Sequence, residues 1–264
     1  MLGGSAIGSG RAWAGSPVAT LPPWQSAPEI GTARVAAVSG GDRLMLDDGR
    51  TLVLAGLRAP RDAEGERPAE PGFAAAREHL AGLVQGRTLR LFAPADGRDR
   101  LGRTVAHALV AGPRQQWLQA VMLRDGFARV YAPARTRPAI ARALLAEEAA
   151  ARAAGRGLWR LPDFAIRDAA TPERIGPGFA LVDGRVLAIG ETAHTLFLNF
   201  GPDRRTDFSA LVERRDRDGF AQGLRGLRAL EGRRVRVRGM VFRYGGPAIR
   251  VRSDRAIELL EEQP

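Results

Sequence analysis

Residues 52–62 read LVLAGLRAPRD. The stretch is the end of a buried strand running into a turn at Pro60, with Arg58 and Arg61 on either side of that proline. Working outward, ARVAAVS (33–39), DRLMLDD (42–48) and RTLVLAGL (50–57) have strand character, and Asp48-Gly49 between the last two is a hairpin signal. PGFAAAREHLAGLVQG (71–86) has apolar residues at helical spacing, Pro71 near its start and Gly86 at its end. Strands follow at 87–92 and 102–110, separated by a charged loop. QQWLQAVMLRDG (115–126) predicts a helix ending at Gly126. FARVY is a short strand, and 137–157 is a long Ala-rich helix capped by Gly157.

A Pro- and Asp-containing linker at 162–177 divides the chain. Beyond it come five or six strand-like runs with one short helix near 216–230. In RRVRVRGMV arginine and valine alternate at period two, which predicts a half-buried strand with a guanidinium face of Arg234, Arg236 and Arg238. Short strands closing around a helix suggest a small barrel of the OB type in each half.

The chain has 264 residues, is 45% hydrophobic and 26% charged, and so is globular in composition. All 40 basic residues are arginine, against 29 acids, for a net charge of +11. A pI near 11.4 favours a polyanionic partner. The excess is uneven: residues 32–162 hold 21 Arg and 13 acids, whereas 163–264 hold 18 Arg and 15 acids. Cysteine is absent, which excludes disulfides, Cys-ligated zinc and thiol catalysis. Three scattered histidines (His79, His107 and His194) do not suggest a His-based metal site. No apolar run approaches the length of a membrane span. Residues 1–31 are rich in Gly, Ser, Ala and Pro and predict a tail. Within it, AWA (12–14) looks like a small-x-small cleavage site, which tilts the expected location towards periplasmic or secreted.

The order of elements and five local segments resemble the staphylococcal nuclease (thermonuclease-like) family over about residues 32–161. These are VSGGDRLML, LVLAGLRAPR, DRLGRTVAHALV, VMLRDGFARVY and AEEAAARAAGRGLWRLP. The resemblance implies a nuclease whose calcium ion is held by two aspartates, whose glutamate activates or positions water, and whose two arginines hold phosphate. Such chemistry needs hard oxygen ligands and charge-stabilising guanidinia. Carried over by position, the turn aspartate is Asp42, the second aspartate is Arg58, the glutamate is Arg61, the strand arginine is Val53, and the Gly-Arg arginine is Arg103. The other turn positions are Gly40 and Arg43. Asp42 is thus the only retained ligand side chain, set against Arg58, Arg61 and Arg103. Arginine cannot serve as a base near neutral pH, and guanidinia repel a dication. Two readings of the arginines stand. In one, Arg58 replaces the metal and pairs with Asp42 while Arg61 and Arg103 face solvent to hold phosphate. In the other, Arg58 and Arg61 are solvated loop residues.

His107 reads as a half-exposed strand residue, Trp117 and Trp159 as core anchors, and Glu147 and Glu148 as a solvated helix face. Asn199, Asp203, Arg204, Arg205 and Asp207 read as a turn held by side-chain hydrogen bonds. The expected architecture is mainly β with helices (α+β). It comprises a nuclease-like OB-fold barrel with three helices at 32–162 and a smaller OB-like barrel at 175–262. The preferred function is non-catalytic binding of nucleic acid or another polyanion through Arg43, Arg61, Arg103, Arg234, Arg236 and Arg238. No cofactor is expected, and calcium only if the family site works. The alternatives are a weak or altered phosphodiesterase, and an exported scaffold that binds a protein partner.

Overall fold

The computed structural model describes residues 27–93, 97–112 and 115–260. The AWA stretch lies outside them. The end of the expected tail is not tail, because β1 (Glu29–Gly40) starts at Glu29 and Glu29 pairs with Phe92. There follow β2 (Arg43–Leu46), β3 (Thr51–Leu54), β4 (Leu57–Arg58), α1 (Phe73–Val84), β5 (Thr88–Phe92) and β6 (Thr104–Val110). Next are β7 (Gln116–Trp117), α2 (Leu118–Arg124), β8 (Arg129–Val130) and α3 (Pro138–Ala153).

β1 is long enough to serve two neighbours. Its second half pairs with β2 and its first half with β5. The sheet runs β3-β2-β1-β5-β6, and a parallel pairing of β3 with β6 closes it into a five-stranded barrel. Leu44, Leu52, Leu54, Leu89 and Leu91 fill the interior, and Leu80 of α1 and Met122 of α2 pack on the same core. The Asp48-Gly49 hairpin forms as expected, with Gly49 at φ 81°. The helix expected from 115 starts later, because Gln116 and Trp117 are spent on pairing with the edge of β6. Gly126 (φ 80°) stops α2 as expected, but α3 ends at Ala153, before the expected Gly157: Gly155 (φ 56°) takes the left-handed turn, the Arg156 N–H returns to the Ala151 carbonyl, and Gly157 instead opens a 3-10 turn at 157–160. A Cβ on Gly126 would stand 2.2 Å from the Arg156 carbonyl oxygen, and one on Gly157 would stand 2.4 Å from that of Asp125. The turn after α2 and the turn that follows α3 therefore meet backbone to backbone, and the Leu158 N–H donates to the Gly126 carbonyl at 3.0 Å.

The second unit contains β9 (Arg167–Asp168), β10 (Gly178–Arg185), β11 (Ala188–Glu191), β12 (Thr195–Asn199) and β13 (Ser209–Glu213). After α4 (Gly223–Arg228) come β14 (Arg234–Tyr244), β15 (Gly246–Arg250) and β16 (Ile257–Leu259). The sheet order is β11-β12-β13-β15-β14-β10-β9, with β16 also on β14 and a parallel β13–β15 pair. The second barrel expected from sequence is not closed by strand pairing, since β10 and β11 follow each other in the chain without pairing together. The linker at 162–177 is not free chain either. Phe164 and Ile175 are buried, and β9 adds a parallel strand to β10. Phe208, Leu196, Leu198, Val212, Val235 and Val237 form this unit's own core. The alternating RRVRVR stretch does form a strand, with both valines wholly buried.

Candidate functional site

The turn between β1 and β2 places Asp42 inside the barrel wall, 1% exposed. Ala59, just before Pro60, donates its N–H to Asp42 Oδ2 at 3.3 Å. The guanidinium that reaches Asp42 belongs to Arg61: its Nη1 lies 3.2 Å from Oδ1 and its Nη2 3.2 Å from Oδ2. Arg43 adds a looser contact at 3.6 Å. Val53 is the cross-strand neighbour of Arg43 and is half-buried.

Arg58 does not pair with Asp42, contrary to the first expectation, and it is not solvated, contrary to the second. It is 8% exposed and holds Glu70 in a bidentate pair, with Nη1–Oε2 2.8 Å and Nη2–Oε1 2.5 Å. The loop before α1 brings Glu70 back to the turn, where the Arg61 N–H donates to Oε2 at 3.1 Å and Glu70 N–H donates to the Arg61 carbonyl. With both oxygens of Asp42 engaged by Arg61, the second carboxylate takes Arg58. Arg61 and Arg103 are not free phosphate holders either. Arg61 is tied to Asp42, and Arg103 grips Asp99 through Nε (2.7 Å) and Nη2 (2.6 Å). The structure therefore brings Asp42, Arg43, Val53, Arg58 and Arg61 together. Arg103 is held apart in the loop entering β6.

This changes the local charge. Position-by-position comparison left Asp42 against three arginines. The fold supplies Glu70 as well, so three guanidinia (Arg43, Arg58 and Arg61) face two carboxylates at the turn, while Arg103 has its own partner in Asp99. Burial pushes the Asp42 carboxyl up, against the opposing pull of Arg61 and Arg43. Burial also raises Glu70, but the hydrogen bonds and charge of Arg58 outweigh it and its pKa is lowered overall. One carboxylate with both oxygens engaged by a guanidinium does not form the oxygen cage that calcium requires. Among the described residues no three His, Cys, Asp or Glu side chains converge on a common point.

A raised carboxyl pKa has a stability consequence. Above the ordinary aspartate value of about 3.9, ionised Asp42 opposes folding, so a neutral amide there relieves a cost. Asn retains an oxygen for the Ala59 N–H, and Arg61 and Arg43 are exposed enough to turn to water. Asp42→Asn should hold stability within about 1 kcal/mol of the parent. A calorimetric melt that drops by several times that amount would show the Asp42 charge to be structural.

The arginine ladder of β14 also departs from expectation. Only Arg234 stays exposed. Arg236 pairs with Asp183 through Nε and Nη2 at 2.7 and 2.8 Å. Arg238 is 3% exposed and crosses to the first unit, bonding Glu148 at 2.9 Å and the Val130 carbonyl at 3.3 Å, with Glu258 of β16 on its other side. Glu148, expected on a solvated helix face, is wholly buried, and it accepts the Val130 N–H at 2.7 Å and Arg152 at 3.3 Å. Glu147, its neighbour, holds Arg124 at the surface. His107 is 2% exposed rather than half-exposed. Burial drives it down to about 4, so it is neutral beside Trp117. Trp117 and Trp159 pack against the core as expected. The exposed 203–207 turn is held by side-chain hydrogen bonds as expected: Asp207 accepts the Asp203 N–H and Asp203 accepts that of Arg205.

Sequence reading missed a large concavity. It is a groove of about 870 Å³ between the units, lined by Arg100, Arg215, Arg250, Arg252 and Arg255 together with Tyr131. Asp216, Asp218 and Asp254 share the wall. Glu213 pairs with Arg215 and Arg250, Asp254 with Arg255 and, loosely, Asp216 with Arg252. These residues are dispersed in sequence and have no common motif, so no local signal marks them.

Residues 51–161 match the family model described as staphylococcal nuclease homologue. The chain thus contains a staphylococcal nuclease-like domain over that span. No curated protein matches the chain.

Proposed function

We propose that this staphylococcal nuclease-like domain no longer performs calcium-dependent hydrolysis, and that the protein binds nucleic acid, or another polyanion, along arginine-rich faces. The observation that carries the reading is the groove between the units. There, six arginines, the buried Arg238 among them, stand against three aspartates, and Tyr131 is 47% exposed beside them. Guanidinia track a phosphate backbone, and an exposed ring offers bases a stacking surface. The loss of chemistry follows from the donor set: guanidinia occupy positions 58 and 61, and Asp42 alone keeps a family carboxylate.

The second unit supports the same reading. Counting β10 and β11 as one interrupted strand, its order repeats that of the first barrel, down to the parallel β13–β15 pair. We read it as a second OB-like module, of a kind that often binds single strands. No cofactor is part of the proposal. A periplasmic or secreted site of action is part of it, resting on the AWA stretch.

The test is binding of a single-stranded DNA oligonucleotide measured against salt. Affinity should fall steeply with salt, and the Arg100→Gln/Arg252→Gln double variant should flatten the log–log slope by about 0.7 for each lost phosphate contact. No binding at low salt would favour the protein-partner alternative. Cleavage that a chelator abolishes would overturn the loss of chemistry.

A further inference from the structure

β4 and β8 form a two-residue antiparallel ladder that sets Arg58 directly opposite Arg129. Arg58 is neutralised by Glu70, but Arg129 is not neutralised by anything it touches. It is 6% exposed, its Nε has no hydrogen-bond partner, and it forms no ion pair among the described residues. Its guanidinium is held instead between two rings, 4.2 Å from the centroid of Phe164 and 5.0 Å from that of Phe179. Around it, Arg58, Arg152, Arg236 and Arg238 engage Glu70, Glu148, Asp183 and Glu258. Arg129 is the charge left over. A buried cation without a counter-charge is costly, and such a group is expected to have an anion within reach.

Space for one exists. Arg129 lines a cavity of about 270 Å³ between the units, with Arg167 and Arg174 on its walls. The carboxylates on the same walls are Glu70, whose charge is spent on Arg58, and Asp163. The volume is below that of a typical drug-sized pocket, so it suits a small ion or a terminal group. Three guanidinia against one uncommitted carboxylate favour a doubly charged ligand, and the planar fork of arginine matches the oxygens of phosphate.

We propose that the cavity walled by Arg129, Arg167 and Arg174 is a binding site for a phosphate-type dianion, either free phosphate or the terminal phosphate of a nucleotide chain. The site is separate from the arginine groove and does not depend on it. Burial, with the repulsion of Arg58 and Arg238, pushes the Arg129 guanidinium down to about 10 against the pull of Glu148 and Glu70. A bound dianion would reverse that strain.

The test compares melting of the full chain in chloride and in inorganic phosphate at matched ionic strength. Isothermal titration then follows, with inorganic phosphate and with a 5′-phosphorylated dinucleotide. Phosphate should raise the wild-type midpoint in proportion to the logarithm of its concentration. Arg129→Met should melt in chloride at or above the wild-type temperature, and should lose the phosphate response. The wall variant Arg167→Gln/Arg174→Gln changes only partly or fully exposed side chains, and should weaken phosphate binding about tenfold. Binding of phosphate alone identifies the free ion, and binding of both probes identifies a terminal phosphate. An unchanged wild-type midpoint in phosphate, or an equal rise in all three proteins, overturns the proposal.

Discussion

Arg238→Met is expected to lower the unfolding free energy by about 3–5 kcal/mol, the cost of breaking a buried ion pair from one side. For a chain of this size that is a fall of roughly 10 °C in melting temperature. The reason is Glu148, which is wholly buried and keeps Arg238 within 2.9 Å. Methionine fills much of the arginine volume, so the loss is electrostatic rather than a cavity. Arg152 remains as a weaker partner at 3.3 Å and limits the damage. Adding Glu148→Gln should recover more than half of the loss. An amide still accepts the Val130 N–H, and it removes the stranded charge. Circular-dichroism melts of the single and double variants decide it: a single variant within about 2 °C of the parent would mean the bridge between the units contributes little.

The second large effect is at position 58. Arg58→Asp should cost about 3 kcal/mol or more. Glu70 loses a bidentate partner and gains a like charge in a half-buried place, and Phe179 loses the guanidinium 5.6 Å from its ring. The acid dependence should change with it. The Glu70 pKa is depressed in the fold, so the pair contributes stability above the ordinary glutamate value of about 4.3. That contribution fades as pH falls through the folded value. In Arg58→Asp the fading should vanish. Extending the change to Val53→Arg/Arg58→Asp/Arg61→Glu restores three carboxylates, and millimolar calcium should then recover part of the lost stability while leaving the wild type unmoved. Calcium stabilisation of the wild-type protein would sink the claim that the guanidinia exclude the cation.

Much of the first unit was legible because its signals are local. Asp48-Gly49, the stop at Gly126 and the alternating leucines of 52–54 depend on a few neighbouring residues, and each appears as expected; the last helix stops at Gly155 rather than at Gly157. The site was legible only as a set of positions. Asp42, Arg58 and Arg61 were identified as the residues of interest, but their partners were not. Glu70 lies in the loop before α1, and its return to the turn is a matter of chain path. The same limit explains Glu148. Its helical spacing next to Glu147 looks like an exposed face, and only the arrival of β14 from the other unit buries it. The RVRVR alternation predicted a strand correctly and its solvent face wrongly, for the same reason.

The sequence by itself determined that no cysteine chemistry is possible, that a five-segment nuclease-like pattern runs through the first half, and that Arg58 and Arg61 flank Pro60 where the resemblance leads one to expect carboxylates. It determined these because they are properties of residue identity and short spacing. Tertiary structure alone decided which carboxylate each arginine meets, and that Arg129 pairs with none among the described residues. Ion pairing in a low-dielectric interior depends on distances of a few ångströms between residues as many as 90 positions apart, such as Glu148 and Arg238.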